Sequence, residues 1–332
     1  MPARHGRSTA NGCVRHTDAN LMIGKQPLHR LVIIALAALA LPASALPAAA
    51  ADAIVVASKI DTEGALLGNL AAEIIEANGL PVRRRIQLGP TNIVRAALLA
   101  GQIDIYPEYT GNGALFFHRE TDPVWKRAAA GYAEVKQRDA DANRLVWLAP
   151  APANNTWVIA IRADLAGLPP GKCLGDLAGY LVHGGRFKLA ASAEFVESPA
   201  ALPAFEATYG FQLRADQLLT LSGGNTAATL RAAAEGTSGV NAAMAYGTDG
   251  ELAALGLNAL CDDKAAQVVY APAPVVRQAV LQQYPQIAAA LAPVFASLDL
   301  TTLQELNARI AVAGEDAAAV ARDYLKSKHL LP

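Results

Sequence analysis

The run "QIDIYPEYTGNGALFF" (102–117) begins as a buried strand and then sets Tyr106 and Tyr109 together at its end, in a chain with only 6% aromatic residues. Two tyrosines at a strand end either plug a core or line a binding surface. Nearby candidates for chemistry are carboxylates: Asp61 and Glu63 in "KIDTEG" and Glu108 in "YPEY". Such groups could serve as a general acid/base pair, or they could cap helices and hold loops. "LSGGNTAATL" (221–230) puts Asn225 and Thr226 at a helix start, where free backbone N–H groups suit the carboxylate or phosphate of a small ligand and where either residue could instead serve only as an N-cap. The groups needed for covalent or cofactor chemistry are scarce. Beyond residue 51 only His118, His183 and His329 occur, none at metal-ligand spacing to another His or Cys. "TGNGALFF" lacks the third glycine of a dinucleotide fingerprint. Neither a phosphate-cradling G-x-x-x-x-G-K-[ST] loop nor a G-x-S-x-G nucleophile elbow is present. The expectation is binding rather than catalysis, with no cofactor and no metal.

The elements that must position these residues follow a leader. Five Lys/Arg residues precede the apolar run Leu31–Leu41 and the Ala-rich "PASALPAAAADA", the pattern of a cleaved secretory signal peptide over 1–51. The run is too short for the ~20 residues of a membrane span. The charged region is long for such a leader, which makes Met22 the expected true start. The mature chain would carry 23 Lys/Arg against 28 Asp/Glu, a net charge of −5 without basic runs, which argues against nucleic acid as a partner. Cys13 precedes the apolar run, where no lipid attachment could use it, so the exported protein is expected free in the periplasm and monomeric. Cys173 and Cys261 remain as an even pair in an oxidising compartment, either as a disulfide or as two separate buried thiols.

From residue 54 the chain alternates. "AIVVASK" reads as a strand, "EGALLGNLAAEIIEANG" as a helix ended by Asn78-Gly79, "VRRRIQLG" as a strand, "TNIVRAALLAG" as a helix capped by Thr91, and "IDIYPEY" as a third strand. Such alternation predicts an α/β protein with parallel sheets covered by helices. A Pro- and Asn-rich kink at Pro150–Asn155 marks a change of lobe, after which the alternation resumes, with "FKLAASAEF", "QLLTLSG" and "GVNAAMAYGTDG" as strands. "RAALLAGQIDIYPEYTGNGAL" (95–115) and "LRAAAEGTSGVNAAMAYGTDGEL" (230–252) share a helix ending in Gly, a strand, and a Tyr followed by Gly and Thr. Two similar lobes would then face each other, each presenting a tyrosine. "AQVVYAPAPVVR" reads as the strand returning to the first lobe. The expected division is lobe one over 52–156, lobe two over 157–265, and a return to lobe one with C-terminal helices over 266–332.

Taken together, "ASKIDTEGALLGNL", "LGPTNIVRAAL", "IDIYPEYTGNG", "APANNTW" and "MAYGTDG" resemble the substrate-binding proteins of osmoprotectant ABC importers, of the glycine betaine/choline kind and closest to the OsmF/YehZ type. The likeness runs from about Ile54 to the C-terminal helix. It implies a type II periplasmic binding fold, with two lobes joined by two hinge connections and the ligand between them. It also implies delivery of the solute to membrane permease subunits driven by a cytoplasmic ATPase. A quaternary ammonium cannot donate a hydrogen bond, so its site must offer aromatic faces, each worth about 0.5–2 kcal/mol. The resemblance assigns that role to Tyr109, Trp157 and Tyr246. Asn155, Thr110 and Thr91 would orient the polar end, with Asp61 and Asn225 as further contacts. Against the family pattern, Gly64 stands where a polar ligand-facing side chain is usual, and "GGNTAA" lacks a further aromatic, so a thin cage with low affinity is expected. The alternatives are a periplasmic enzyme on the same scaffold using Asp61, Glu63 or Glu108, and a ligand sensor without transport.

Overall fold

The computed structural model describes residues 53–168, 171–221 and 226–331. The signal peptide expected over 1–51 lies outside the described residues. Among the described residues, ten strands form two five-stranded sheets. β1 (Ile54–Lys59), β2 (Val82–Gly89), β3 (Ile105–Tyr109) and β4 (Leu145–Trp147) come first. β5 (Trp157–Arg162), β6 (Leu189–Ser192), β7 (Leu218–Leu221), β8 (Ala242–Tyr246), β9 (Leu257–Ala259) and β10 (Pro272–Arg277) follow. The sheet orders are β2-β1-β3-β10-β4 and β7-β6-β8-β5-β9. β1 is buried along its whole length, as a strand covered on both faces must be. β2, at the edge, alternates and turns Arg83, Arg85 and Gln87 to solvent.

The two orders correspond position by position, so β3 of the first sheet has its counterpart in β8 of the second. The internal similarity of the sequence is therefore a likeness of topology. The expectation of parallel sheets needs correction, because both sheets are mixed. β10 runs antiparallel to β3 and β4, and β5 runs antiparallel to β8 and β9. Each of these strands arrives from the other sheet and starts where its neighbour stops: Pro272 pairs with Tyr109 and Trp157 with Tyr246. The two segments that cross between the sheets run side by side. Asn155 N–H donates to the Tyr270 carbonyl at 3.0 Å, Tyr270 N–H to Asn154 Oδ1 at 2.8 Å, and the Thr156 hydroxyl to the Val268 carbonyl at 2.8 Å.

Two local readings also change. "FKLAASAEF" is a strand only to Ser192, whose hydroxyl accepts from Phe195 N–H and starts the Ala193–Glu197 helix. Thr91 does not cap its helix: Pro90 holds the N-cap position and Thr91 is the first helical residue. Leu66, Leu70 and Ile74 of the Thr62–Ala77 helix pack with Leu291, Phe295 and Leu325 of the C-terminal helices on one face of the first sheet. Tyr106, Trp125 and Trp147 fill the other face. Fully burying such a large apolar side chain contributes about 1.5–3 kcal/mol. The second sheet is packed in the same way, with Phe195 and Phe205 on one side and Leu230 and Leu252 on the other. The Leu300–Ala311 helix touches both lobes, lying on the Thr62–Ala77 helix and on the Glu251–Ala254 helix. A Cβ at Gly250 would stand 2.2 Å from the Ala308 nitrogen, so only glycine permits this approach.

Candidate functional site

The carboxyl ends of β1, β3 and β8 and the first residue of β5 open onto one cavity of about 680 Å³ between the sheets. Placement there follows from topology, since strand ends and helix starts meet at the same edge of an α/β sheet. Three helices begin at its wall, at Thr62, Thr91 and Thr226, and the positive end of a helix dipole favours a carboxylate.

Trp157 and Tyr246 are cross-strand partners, and their rings lie nearly parallel at 19° with centroids 6.3 Å apart. They form one continuous wall rather than two jaws of a sandwich. Trp157 Nε1 lies near enough to the Tyr246 hydroxyl to favour its ionised form, yet makes no bond of good geometry. Burial nevertheless raises the Tyr246 phenol above its ordinary pKa. Tyr109 also lines the cavity, but it is already engaged. Its hydroxyl donates to Glu63 at 2.7 Å, and the Lys59 ammonium sits 4.5 Å from its ring centroid.

Glu63 is the hub of the first lobe's wall. Its oxygens accept from Tyr109, from Asn155 Nδ2 at 3.1 Å and from Asn307 Nδ2 at 2.8 Å, and Asn307 Nδ2 also reaches the Thr248 carbonyl of the other lobe at 2.9 Å. Burial raises the Glu63 pKa above the usual carboxylate value, against the pull of these donors. Glu108 is fully buried and held by Lys59 at 2.5 Å, the Tyr106 hydroxyl, Tyr109 N–H and Asn112 Nδ2. Asp61 caps the Thr62–Ala77 helix, accepting from Gly64 N–H at 2.7 Å. All three carboxylates considered for acid/base work thus accept hydrogen bonds within the structure.

Of the expected contacts, Asp61, Thr91, Tyr109, Asn155, Trp157 and Tyr246 all line the cavity. Thr110 does not: its hydroxyl donates to the Val269 carbonyl and accepts from Ala271 N–H, joining β3 to the crossing segment beneath. Asn225 lies outside the described residues. Gly64 is not a missing ligand contact, because a Cβ there would meet the Lys59 carbonyl oxygen at 2.7 Å; the glycine lets the helix start close to β1. Ala227 lines a separate groove with Leu219, Leu221 and Arg231. Sequence reasoning missed Tyr270, Asn307, Thr248 and Asp249, which also line the cavity. Tyr270 lies within "AQVVYAPAPVVR", read whole as the returning strand, whereas the strand begins only at Pro272 and Tyr270 belongs to the crossing segment before it. Asp249 accepts from Tyr246 N–H at 2.8 Å, and burial pushes its carboxyl up to about 7.

Cys173 and Cys261 are joined as a disulfide with Cα atoms 4.3 Å apart. Among the described residues, they also belong, with Asp263, to the one grouping at metal-ligand spacing, and the disulfide engages both sulfurs.

Two lobes of equivalent topology, joined by paired crossing segments around a cavity walled by aromatics and helix starts, define a solute-binding protein of the two-lobed periplasmic type. The family described as the substrate binding domain of ABC-type glycine betaine transport systems matches residues 52–327, and the chain belongs to it. The glycine betaine-binding protein YehZ of Escherichia coli (strain K12) is 60% identical over 278 residues, covering 84% of this chain and 91% of that protein. The solved structure of apo YehZ from E. coli superposes with a TM-score of 0.78, covering 84% of this chain and 100% of that one. A glycine-betaine-binding protein of Pseudomonas aeruginosa is 32% identical, covering 85% of this chain and 89% of that protein. The family is one of binding proteins rather than enzymes, and the resemblance carried by the motifs is borne out.

Proposed function

We propose that the chain captures glycine betaine, or a related quaternary ammonium solute, in the cavity between the lobes and hands it to the permease of an ABC importer. The observation that carries this reading is the pairing of features in one cavity: aromatic faces from Trp157, Tyr246 and Tyr270 beside the helix starts at Thr62, Thr91 and Thr226. A zwitterion of this kind needs both. Its methylated cation lies on aromatic faces, and its carboxylate takes the helix-end N–H groups. No bond is made or broken. The work is capture, followed by closure about the crossing segments near 153–157 and 263–268, with lobes over 52–156 and 157–265 and a return to lobe one over 266–332. The protein acts as a monomer in the periplasm after removal of its signal peptide, without a lipid anchor.

Aromatic faces supply about 2–5 kcal/mol in total, well below the about 8 kcal/mol of micromolar binding. Since Lys59 already covers part of Tyr109, affinity is expected to be low. Titration calorimetry with glycine betaine tests the reading. The parent should bind weakly, and Trp157→Ala should weaken binding at least tenfold. Parental affinity in Trp157→Ala would remove the aromatic wall from the site. Failure of the parent to bind betaine, choline or carnitine would remove the solute class.

A further inference from the structure

Five carboxylates line the cavity, those of Asp61, Glu63, Glu194, Asp249 and Glu251, against the single ammonium of Lys59. Glu108 neutralises that ammonium at 2.5 Å, so the excess charge is negative. Glu63 stands in the first lobe, on the Thr62–Ala77 helix, and Asp249 in the second, just beyond β8. Both line the same cavity. Like charges buried on facing walls repel, and a cation between them converts repulsion into attraction to both.

A second, independent feature points the same way. Asn155 and Asn307 each direct Nδ2 at oxygens that accept, those of Glu63 and the Thr248 carbonyl. This bonding fixes both amides, so Oδ1 of each is left without a donor. Asn307 is only 4% exposed. A buried wall of oxygen acceptors without donors suits a quaternary ammonium, whose methyl groups carry its positive charge and meet oxygens through C–H···O contacts.

We infer that the ligand's cation is held by a carboxylate pair drawn from both lobes, Glu63 and Asp249, and that bridging this pair draws the cleft shut. The inference rests on the proposed solute-capture function and adds the counter-charge that aromatic faces alone do not supply. The groups facing Asp249 are Glu251 on its own turn, Glu63 across the cavity, the Thr226 hydroxyl and the N–H of Tyr246. Those facing Glu63 are Asp61, the Tyr109 and Thr248 hydroxyls, and the Asn155 and Asn307 amides. None of these is a cation that would satisfy either carboxylate.

The pair makes binding depend on pH in a definite direction. Without ligand, burial holds the Asp249 carboxyl up at about 7, and a bound cation lowers it. Binding below pH 7 must therefore expel a proton, so affinity falls as the medium is acidified. The same raised value means that Asp249 stabilises the fold at low pH and that this contribution is lost as pH rises through about 7. Asp249→Asn, which keeps an oxygen for Tyr246 N–H, should accordingly be at least as stable as the parent at pH 8.

The test is calorimetry and small-angle scattering with glycine betaine and with tetramethylammonium, a cation without a carboxylate. The parent should bind betaine about tenfold more weakly at pH 6, one pH unit below the carboxyl's pKa of about 7, than at pH 8. Asp249→Asn should lose at least about tenfold at pH 8 and show a flat profile. Tetramethylammonium should compact the parent and leave Asp249→Asn unchanged. Betaine binding with the same pH profile in both proteins overturns the carboxylate pair while leaving the solute-capture reading standing. No binding of either probe by the parent overturns both. Should the variant fail to fold, a parental affinity that stays level from pH 8 to 6 is itself enough to overturn the pair.

Discussion

Asp139 is fully buried and accepts four hydrogen bonds, two from Arg95 and one each from Asn143 and Trp147. Arg95 belongs to the Thr91–Leu99 helix, whose first residue lines the cavity, so this pair anchors one helix start of the site to the strand and helix behind it. Buried ion pairs contribute little over an apolar pair, but removing one partner strands the other charge. Asp139→Ala should therefore cost about 3–5 kcal/mol in urea unfolding, and a loss below about 1 kcal/mol would mean that water reaches the guanidinium. At the same scale, Tyr109 and Trp157 were legible as aromatics at strand ends, and Glu63 as a carboxylate in a motif. That Lys59 lies over Tyr109, and that Glu63 gathers three side-chain donors, were not legible, because each depends on which way a side chain points after its segment has packed.

At the scale of elements, the pattern of apolar residues places strands and helices well where the period is sustained. It fails where a short polar signal interrupts an apolar run, as at Ser192, which ends β6 and caps a helix within one apparent strand. The disulfide belongs to this scale. Cys173 precedes the Leu174–Val182 helix and Cys261 follows β9, 88 residues on. Closing a loop of that length contributes about 4–5 kcal/mol in the chain-entropy view. Dithiothreitol should lower the denaturant midpoint of the oxidised protein and leave betaine affinity unchanged, since neither cysteine lines the cavity. A midpoint insensitive to reductant would mean that the reduced chain is held as firmly by its packing.

At the scale of the whole molecule, two crossing segments hydrogen-bonded to each other join lobes that are each packed around their own sheet, and the Leu300–Ala311 helix also rests on both. Bending there moves the lobes as bodies. Scattering with saturating glycine betaine should give a smaller radius of gyration, and an unchanged radius with calorimetrically proven binding would exclude closure. The two lobes were already visible in the repeated helix, strand and Tyr pattern of 95–115 and 230–252. The sequence by itself determined most of the strands and helices, that the two halves are alike, and the family to which the chain belongs. These are properties of local period and of motif order, which do not require the fold to be assembled. Only the tertiary structure decided that the sheets are mixed, that Gly64 and Thr110 serve packing, and that Tyr270, Asn307 and Asp249 join the site. Glu63 meets Asn307 across 244 residues, and Trp157 meets Tyr246 through the register of β5 on β8. Such contacts are fixed by where distant elements come to rest, which no local pattern in the chain encodes.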